Sequence, residues 1–291
     1  MTSRFKHCVA FGLFAWVFLA DTSGLSAGEF QSVRDVTYVQ RGDEAIKADV
    51  YVPDGAGPFP GVLVVHGGAW RIGNKMQMMR FARALAAEGF SSVAINYRLA
   101  PEHPFPAQIE DCKSAVRWMR KNSDTYKIDP QRIGAVGYSA GGHLVALLGT
   151  TDASCGLEGP DADGTSTRLQ CVVAGGAPCD FRLTPPNSEG LAFWLGGTRA
   201  EKPQAYELAS PAKFVTKDDP PTLFFHGDAD RLVPIFSPKA MVRSMTEAGI
   251  ETRLYVVEGA GHMQAFGDEQ AQVEAVQFFA DHLKGAAAKG K

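Results

Sequence analysis

The chain has 291 residues, with 31 Gly, 17 Pro and 5 Cys; 45% are hydrophobic, 21% are charged, and the formal net charge is −3. Those fractions exclude collagenous, disordered and disulfide-scaffold proteins, and the charge offers neither a basic footprint for nucleic acid nor an acidic tail. The length is enough for one large α/β domain or two small ones around a substantial core.

Arg4 and Lys6 precede an apolar run from Cys8 to Ala20, and small and polar residues follow from Asp21 to Gly28. A cationic start, a short apolar stretch and a small-residue exit read as a secretory signal over residues 1–27, cut near Ala27 or Gly28. The alternative is an uncleaved membrane anchor, for which the run is shorter than the ~20 residues a bilayer requires. The signal places the mature chain outside the cytoplasm, secreted or periplasmic, with no membrane attachment after cleavage. In an oxidising compartment the four remaining cysteines, Cys112, Cys155, Cys171 and Cys179, can pair. Cys155 and Cys171 bracket a Gly/Asp/Ser-rich loop and form the favoured disulfide; the alternative is that the cysteines are small buried residues. No CxxC pair occurs, so no metal site is expected.

Residues 33–40 and 45–52 alternate or run apolar on either side of Gly42-Asp43, which reads as a hairpin. Residues 61–65 are solidly aliphatic, as in strands buried on both faces. A helix over 75–88 stops at Gly89, a strand follows over 91–96, and a helix over 106–121 repeats Ile109, Cys112, Val116 and Met119 on one side. Strands over 132–136, 169–174, 222–225 and 252–257 then alternate with helices over 140–148, 236–248 and 268–283. Such alternation predicts a mostly parallel sheet covered on both faces by crossover helices, with the hairpin antiparallel at one edge. One domain over 28–284 follows, with 285–291 as a frayed tail. The irregular stretch 181–216, carrying Phe193, Trp194 and Leu195, is long for such an architecture and is expected to fold over something.

Gly137-Tyr138-Ser139-Ala140-Gly141 fits G-x-S-x-G between a predicted strand and a predicted helix, the context in which a serine hydroxyl is lifted from a sheet on a strained turn. Serine needs a base to become a nucleophile. His262 follows the last strand on a Gly-rich loop, and Asp230 follows the strand before it; their chain order, Ser139, Asp230, His262, separates this arrangement from the chymotrypsin and subtilisin orders. Asp228 competes for the acid role but follows Gly227 directly, which suits a brace for the loop. His103 and His143 read as structural or near-site. Gly67 and Gly68, in His66-Gly67-Gly68-Ala69-Trp70 after the 61–65 strand, and Ala140 can aim backbone N–H groups at a developing oxyanion, with His66 bracing the loop. Trp70 is expected in the pocket wall, with core packing as its alternative, and Phe193 and Trp194 are candidate acyl or aromatic contacts.

Together, HGGAW (66–70), NYRLAPEHPFPAQIED (96–111), GYSAGG (137–142), HGDADRLVP (226–234) and GAGH (259–262) resemble the α/β-hydrolase esterases. The similarity is to the hormone-sensitive-lipase-like branch and the bifunctional acetyl xylan/feruloyl esterase-like branch, and it covers about Val33 to Leu283. It implies an α/β-hydrolase fold, no cofactor, and a Tyr97–Pro106 segment that buttresses the oxyanion loop. Ala69 departs from HGGG and suits the HGGxW pattern of the second branch and of formamidase-like enzymes. The first strand begins too early for the helical N-terminal cap of the lipase-like branch, so a small cap or none, and an open cleft, are expected. The function implied is a secreted serine carboxylesterase acting on a small-molecule or polysaccharide-linked ester, short-chain acyl, acetyl or feruloyl. The alternatives are an amidase, peptidase or formamidase on the same fold, or a non-catalytic binding module; the oligomeric state is not encoded.

Overall fold

The strands form a single eight-stranded sheet in the order β1-β2-β4-β3-β5-β6-β7-β8. In chain order they are β1 (Phe30–Arg41), β2 (Glu44–Pro53), β3 (Phe59–Val65), β4 (Ser91–Ile95), β5 (Ile128–Tyr138), β6 (Cys171–Gly175), β7 (Thr222–Gly227) and β8 (Thr252–Val257). This computed structural model describes residues 28–285; the signal read in 1–27 and the tail from 286 lie outside them. The hairpin β1–β2 is antiparallel and joins β4 antiparallel, whereas β4, β3, β5, β6, β7 and β8 all run parallel.

Period-two alternation divides the core into two layers. Val62 and Val64 of β3 share one buried cluster with Phe81 and Leu85 of α1 (Met79–Ala87) and with Phe278 and Phe279 of α8 (Glu269–Phe279). Leu63 and Val65 face the opposite cluster, with Ile109 and Val116 of α2 (Ala107–Lys121), Leu144 and Leu147 of α3 (Ala140–Thr150), and Met241 and Met245 of α6 (Phe236–Glu247). Each central strand is therefore aliphatic on both faces, which is why 61–65 shows no polar alternation. Among the described residues no helix is long and apolar enough to cross a membrane.

Two expectations need correction, and a third is filled in. The predicted helix over 75–88 is two pieces, because Asn74 accepts a hydrogen bond from Met76 N (2.9 Å) and tightens Lys75–Met78 into a 3-10 turn before α1. Lys75 is pinned there by Asp35 (2.7 Å) and Asp49 (3.1 Å). The Cys155–Cys171 disulfide is absent: all four described cysteines are free. Cys171 is the first residue of β6, wholly buried in the core, while Cys155 is half-buried beside Asp152. The stretch 181–216 folds, through α4 (Ala192–Leu195) and α5 (Pro203–Leu208), back onto α2 and α3. Trp194 Nε1 donates to Gln108 (3.0 Å), Phe105 N donates to Trp194 O (2.8 Å), and His143 bonds Ala209 O (2.7 Å), so this segment completes the core.

Candidate active site

Ser139 is the single residue between β5 and α3, at φ 57° and ψ −120°, a left-handed conformation that a side chain adopts only under constraint. The constraint is bonded on both sides: Ser139 N donates to Gly175 O (2.8 Å) and His143 N to Ser139 O (2.9 Å). The turn also brings α3 hard against β3, since a Cβ on Gly141 would stand 2.2 Å from Val65 O. Although Ser139 occupies the cap position of α3, its hydroxyl makes no capping bond and remains free for chemistry.

The imidazole and carboxylate arrive from the last two strands. Asp230 follows β7, and His262 opens the short helix α7 (His262–Phe266) after β8, so the imidazole sits at a helix start instead of in a loop. His262 Nδ1 bonds Asp230 Oδ2 at 2.6 Å, leaving Nε2 as the free ring nitrogen. Asp230 Oδ1 accepts from Leu232 N (2.8 Å) and Val233 N (2.9 Å). Burial by itself would raise this carboxyl, but Val233 N–H, His262 and Leu232 N–H outweigh it and hold Asp230 below the usual carboxylate range. Asp228 is exposed and accepts instead from Gly259 N (2.7 Å), tying the acid loop to the base loop.

Ser139 and His262 line one cleft of about 480 Å³ with Gly67, Gly68, Ala69 and Tyr138. Tyr138 links the two loops directly, because its hydroxyl donates to His262 O while its ring lies 5.1 Å from the imidazole. Burial, with the Asp230 charge second, pushes this phenol well up, so it stays a donor. Gly67 is so close to Ser139 that a Cβ there would meet Ser139 Cβ at 3.3 Å. The loop then turns through left-handed Ala69 and Trp70, at φ 51° and 59°. Gly68, at φ +109°, has no room for a side chain: its Cβ would lie 1.9 Å from Ile72 O. Tyr97 Oη donates to His66 O (3.0 Å) and Ala100 N to Trp70 O (2.8 Å), so the 96–111 motif does hold this loop from beneath. Ala140 lies in the first turn of α3, next to Ser139.

Trp70, Phe193 and Trp194, expected as substrate contacts, are absent from the cleft lining. Trp70 and Trp194 are buried and stacked at 3.8 Å, and Trp70 Nε1 donates to His143 Nδ1 (3.1 Å); the core-packing alternative holds for Trp70, and Trp194 packs in the core with it. Phe193 is half-buried under the Arg71 guanidinium, 4.9 Å from its ring. The wall is built instead from Ile72, Gln77, Met78, Leu232, Met263 and Phe266. Sequence reading also missed His226, whose Nε2 lies 2.7 Å from Val233 O and 3.3 Å from Asp230 Oδ2. Its Nδ1 is buried with no partner, and burial lowers its pKa, so it sits as a neutral ring behind the carboxylate. The His-Gly ending that β7 shares with the β3 exit was the available signal.

The arrangement supplies a hydroxyl, an imidazole oriented by a buried carboxylate, and backbone N–H groups beside them, which is equipment for acyl transfer. The BD-FAE family model matches residues 48–245. The chain belongs to the BD-FAE family. It is also similar to the esterase LipC of Mycobacterium tuberculosis, 33% identical over 70% of this chain and 53% of LipC. An AB hydrolase superfamily protein of Schizosaccharomyces pombe is 35% identical over 80% of this chain and 73% of that protein. Among solved structures, a truncated carbohydrate esterase from gut microbiota superposes with a TM-score of 0.81 at 30% identity, covering 89% of this chain and 98% of that one. This BD-FAE chain thus has the α/β-hydrolase fold, and it spans about half the length of LipC and of the two further mycobacterial esterases it resembles.

Proposed function

We propose that the protein is a serine carboxylesterase working through an acyl-enzyme. Ser139 Oγ attacks the ester carbonyl carbon as its proton passes to His262 Nε2, and the carbonyl π pair moves onto oxygen beside Gly67, Gly68 and Ala140. The oxyanion collapses, the C–O bond to the alcohol breaks, and His262 returns the proton to the leaving alkoxide. Water then repeats the sequence on the acyl-Ser139 ester and releases the acid. The observation that carries this reading is the 2.6 Å contact from His262 Nδ1 to a buried, ionised Asp230, with Ser139 in the same cleft.

The finer reading is hydrolysis of acetyl or feruloyl esters on plant polysaccharide outside the cytoplasm. It is supported by the similarity to a carbohydrate esterase and by the export signal read in residues 1–27. The experiment is a panel of p-nitrophenyl esters, acetylated and feruloylated xylan fragments, aminoacyl anilides and N-formyl aromatic amines. Ester preference supports the proposal; anilide or formamide preference overturns it in favour of the amidase reading.

The two acidic candidates separate cleanly in the same assay. Asp230→Asn is expected to lower kcat about 10³–10⁴-fold by leaving the imidazole wrongly oriented and its cation unsupported. Asp228→Asn, which keeps an oxygen for Gly259 N, is expected to stay within about tenfold of the parent. Equal losses in both variants would contradict these roles.

A further inference from the structure

His226 is the penultimate residue of β7, in register with Val256 of β8, and it is 1% exposed. A strand position so deeply buried is normally apolar, as Phe224 is two residues earlier on the same face. The His226 Nε2 lies 2.7 Å from Val233 O, an atom that can only accept, so Nε2 carries the proton and Nδ1 is a bare lone pair. That lone pair is buried without a partner. An unbonded polar atom in the interior costs stability that an apolar side chain would not, so packing alone does not explain an imidazole at 226. Its N–H, by contrast, is set against the catalytic carboxylate. Val233 is gripped at both of its backbone polar atoms: its O accepts from His226, and its N donates to Asp230 Oδ1 at 2.9 Å. Nε2 also stands 3.3 Å from Asp230 Oδ2, the oxygen that His262 Nδ1 bonds at 2.6 Å.

We infer, resting on the serine-esterase reading above, that His226 is a positioning residue for the reaction: it fixes the acid loop through Val233 and tempers the charge on Asp230 Oδ2, and so sets how strongly His262 holds its proton. The ring does this only while neutral, because a cation at 226 would pair with Asp230 in place of His262. Burial keeps it neutral, against the opposing pull of Val233 O and the Asp230 charge, and the His262 charge acts in the same sense as burial. The titratable groups around it are Asp230 and His262, which act on His226 directly, and the Tyr138 phenol, which packs on the His262 ring and feels Asp230; Asp228 is exposed and bonded to Gly259 N. Tyr138 is held protonated and Asp230 ionised, so an acid limb near neutral pH reports the imidazole that must act as base. Without the His226 N–H, the carboxylate faces His262 with its charge undiminished. The imidazolium is then favoured, and the free base needed for attack forms only at higher pH.

The experiment measures kcat and KM on p-nitrophenyl acetate across the neutral pH range for the parent, His226→Phe and His226→Gln. Phenylalanine keeps a buried ring and removes the N–H; glutamine returns an amide N–H for Val233 O. His226→Phe is expected to lower kcat about 10- to 100-fold with KM within about threefold, and to raise the apparent pKa of the acid limb of kcat/KM by about 0.5–1. His226→Gln is expected to recover most of the lost kcat and to bring the limb back toward the parent. A phenylalanine variant with kcat within about threefold of the parent overturns the proposal. So does a lowered kcat with an unmoved acid limb, which is all that a structural prop would produce, or a glutamine variant no better than phenylalanine. Should His226→Phe fail to fold, 15N-histidine NMR of the parent decides, with the His226 signals identified by their loss in His226→Gln. A neutral ring protonated on Nε2 at neutral pH is the expected state; a proton on Nδ1, or an imidazolium, overturns the proposal. Turnover indifferent to Ser139→Ala, or no ester turnover at all, overturns the esterase reading itself.

Discussion

Ser139→Ala is expected to lower ester kcat by about five to six orders of magnitude while the protein folds as before. The fold should be untouched because the Ser139 hydroxyl makes no capping bond to α3, and the strained turn is held by the backbone bonds from Ser139 N to Gly175 O and from His143 N to Ser139 O. Alanine keeps the Cβ and loses one oxygen. Turnover and thermal unfolding measured on the same preparation separate chemistry from structure. Residues that act as one unit are also non-additive, so Ser139→Ala combined with His262→Ala should be little worse than either change alone. A double variant whose losses multiply would mean that the two side chains work independently.

A second large effect concerns stability in acid. Three histidines outside the catalytic set are buried as neutral rings, and two of them, His143 and His66, stand away from the Asp230 carboxylate. His143 donates from Nε2 to Ala209 O (2.7 Å) and accepts at Nδ1 from Trp70 Nε1 (3.1 Å), so a proton on Nδ1 would set two donors against each other. His66 donates from Nδ1 to Gly67 O (2.7 Å), and its Nε2 is buried without a partner. Burial pushes each down from 6.5 to about 4, against a small opposing effect of the carbonyl each ring bonds. Above pH 6.5 both are neutral folded or unfolded and contribute no pH dependence. Between pH 6.5 and about 4 the unfolded chain binds protons that the folded chain refuses, so stability falls with falling pH. The two together amount to about 5 kcal/mol between pH 7.5 and 4.5. Denaturant unfolding at those two pH values measures the loss. His143→Gln, which offers a carbonyl to Trp70 and an amide to Ala209 without titrating, should be less stable at pH 7.5 yet lose roughly half as much on acidification. An undiminished loss in that variant would contradict the assignment.

What was legible in the sequence was what local chemistry dictates. The Gly137–Gly141 pattern needs a strand on one side and a helix on the other, and both carry their own periodicity, so the position of Ser139 could be read without coordinates. Asp230 and His262 each follow a strand by a few residues, and parallel strands deliver their C-terminal ends to one edge. Tyr97 was readable through the 96–111 motif. The substrate wall was not. Aromatic residues in the HGGAW and 181–216 segments looked like pocket material, yet Trp70 and Trp194 found each other at 3.8 Å and are buried in the core. The residues that do line the cleft, such as Ile72, Leu232 and Met263, are ordinary aliphatic side chains with no motif of their own; only the tertiary meeting of three loops gives them meaning. The Cys155–Cys171 pairing failed similarly, because loop composition between two cysteines says nothing about where a strand will bury one of them.

The claim underlying all of this is that Ser139 is a nucleophile made reactive by His262. The most direct measurement is covalent labelling with diethyl p-nitrophenyl phosphate, followed by intact-mass and peptide mass spectrometry on the parent and on His262→Ala. One diethylphosphoryl group per chain, located on Ser139 and acquired far more slowly without the imidazole, is the expected result. A label found on another residue, or ester turnover that persists with Ser139 fully labelled, would contradict it.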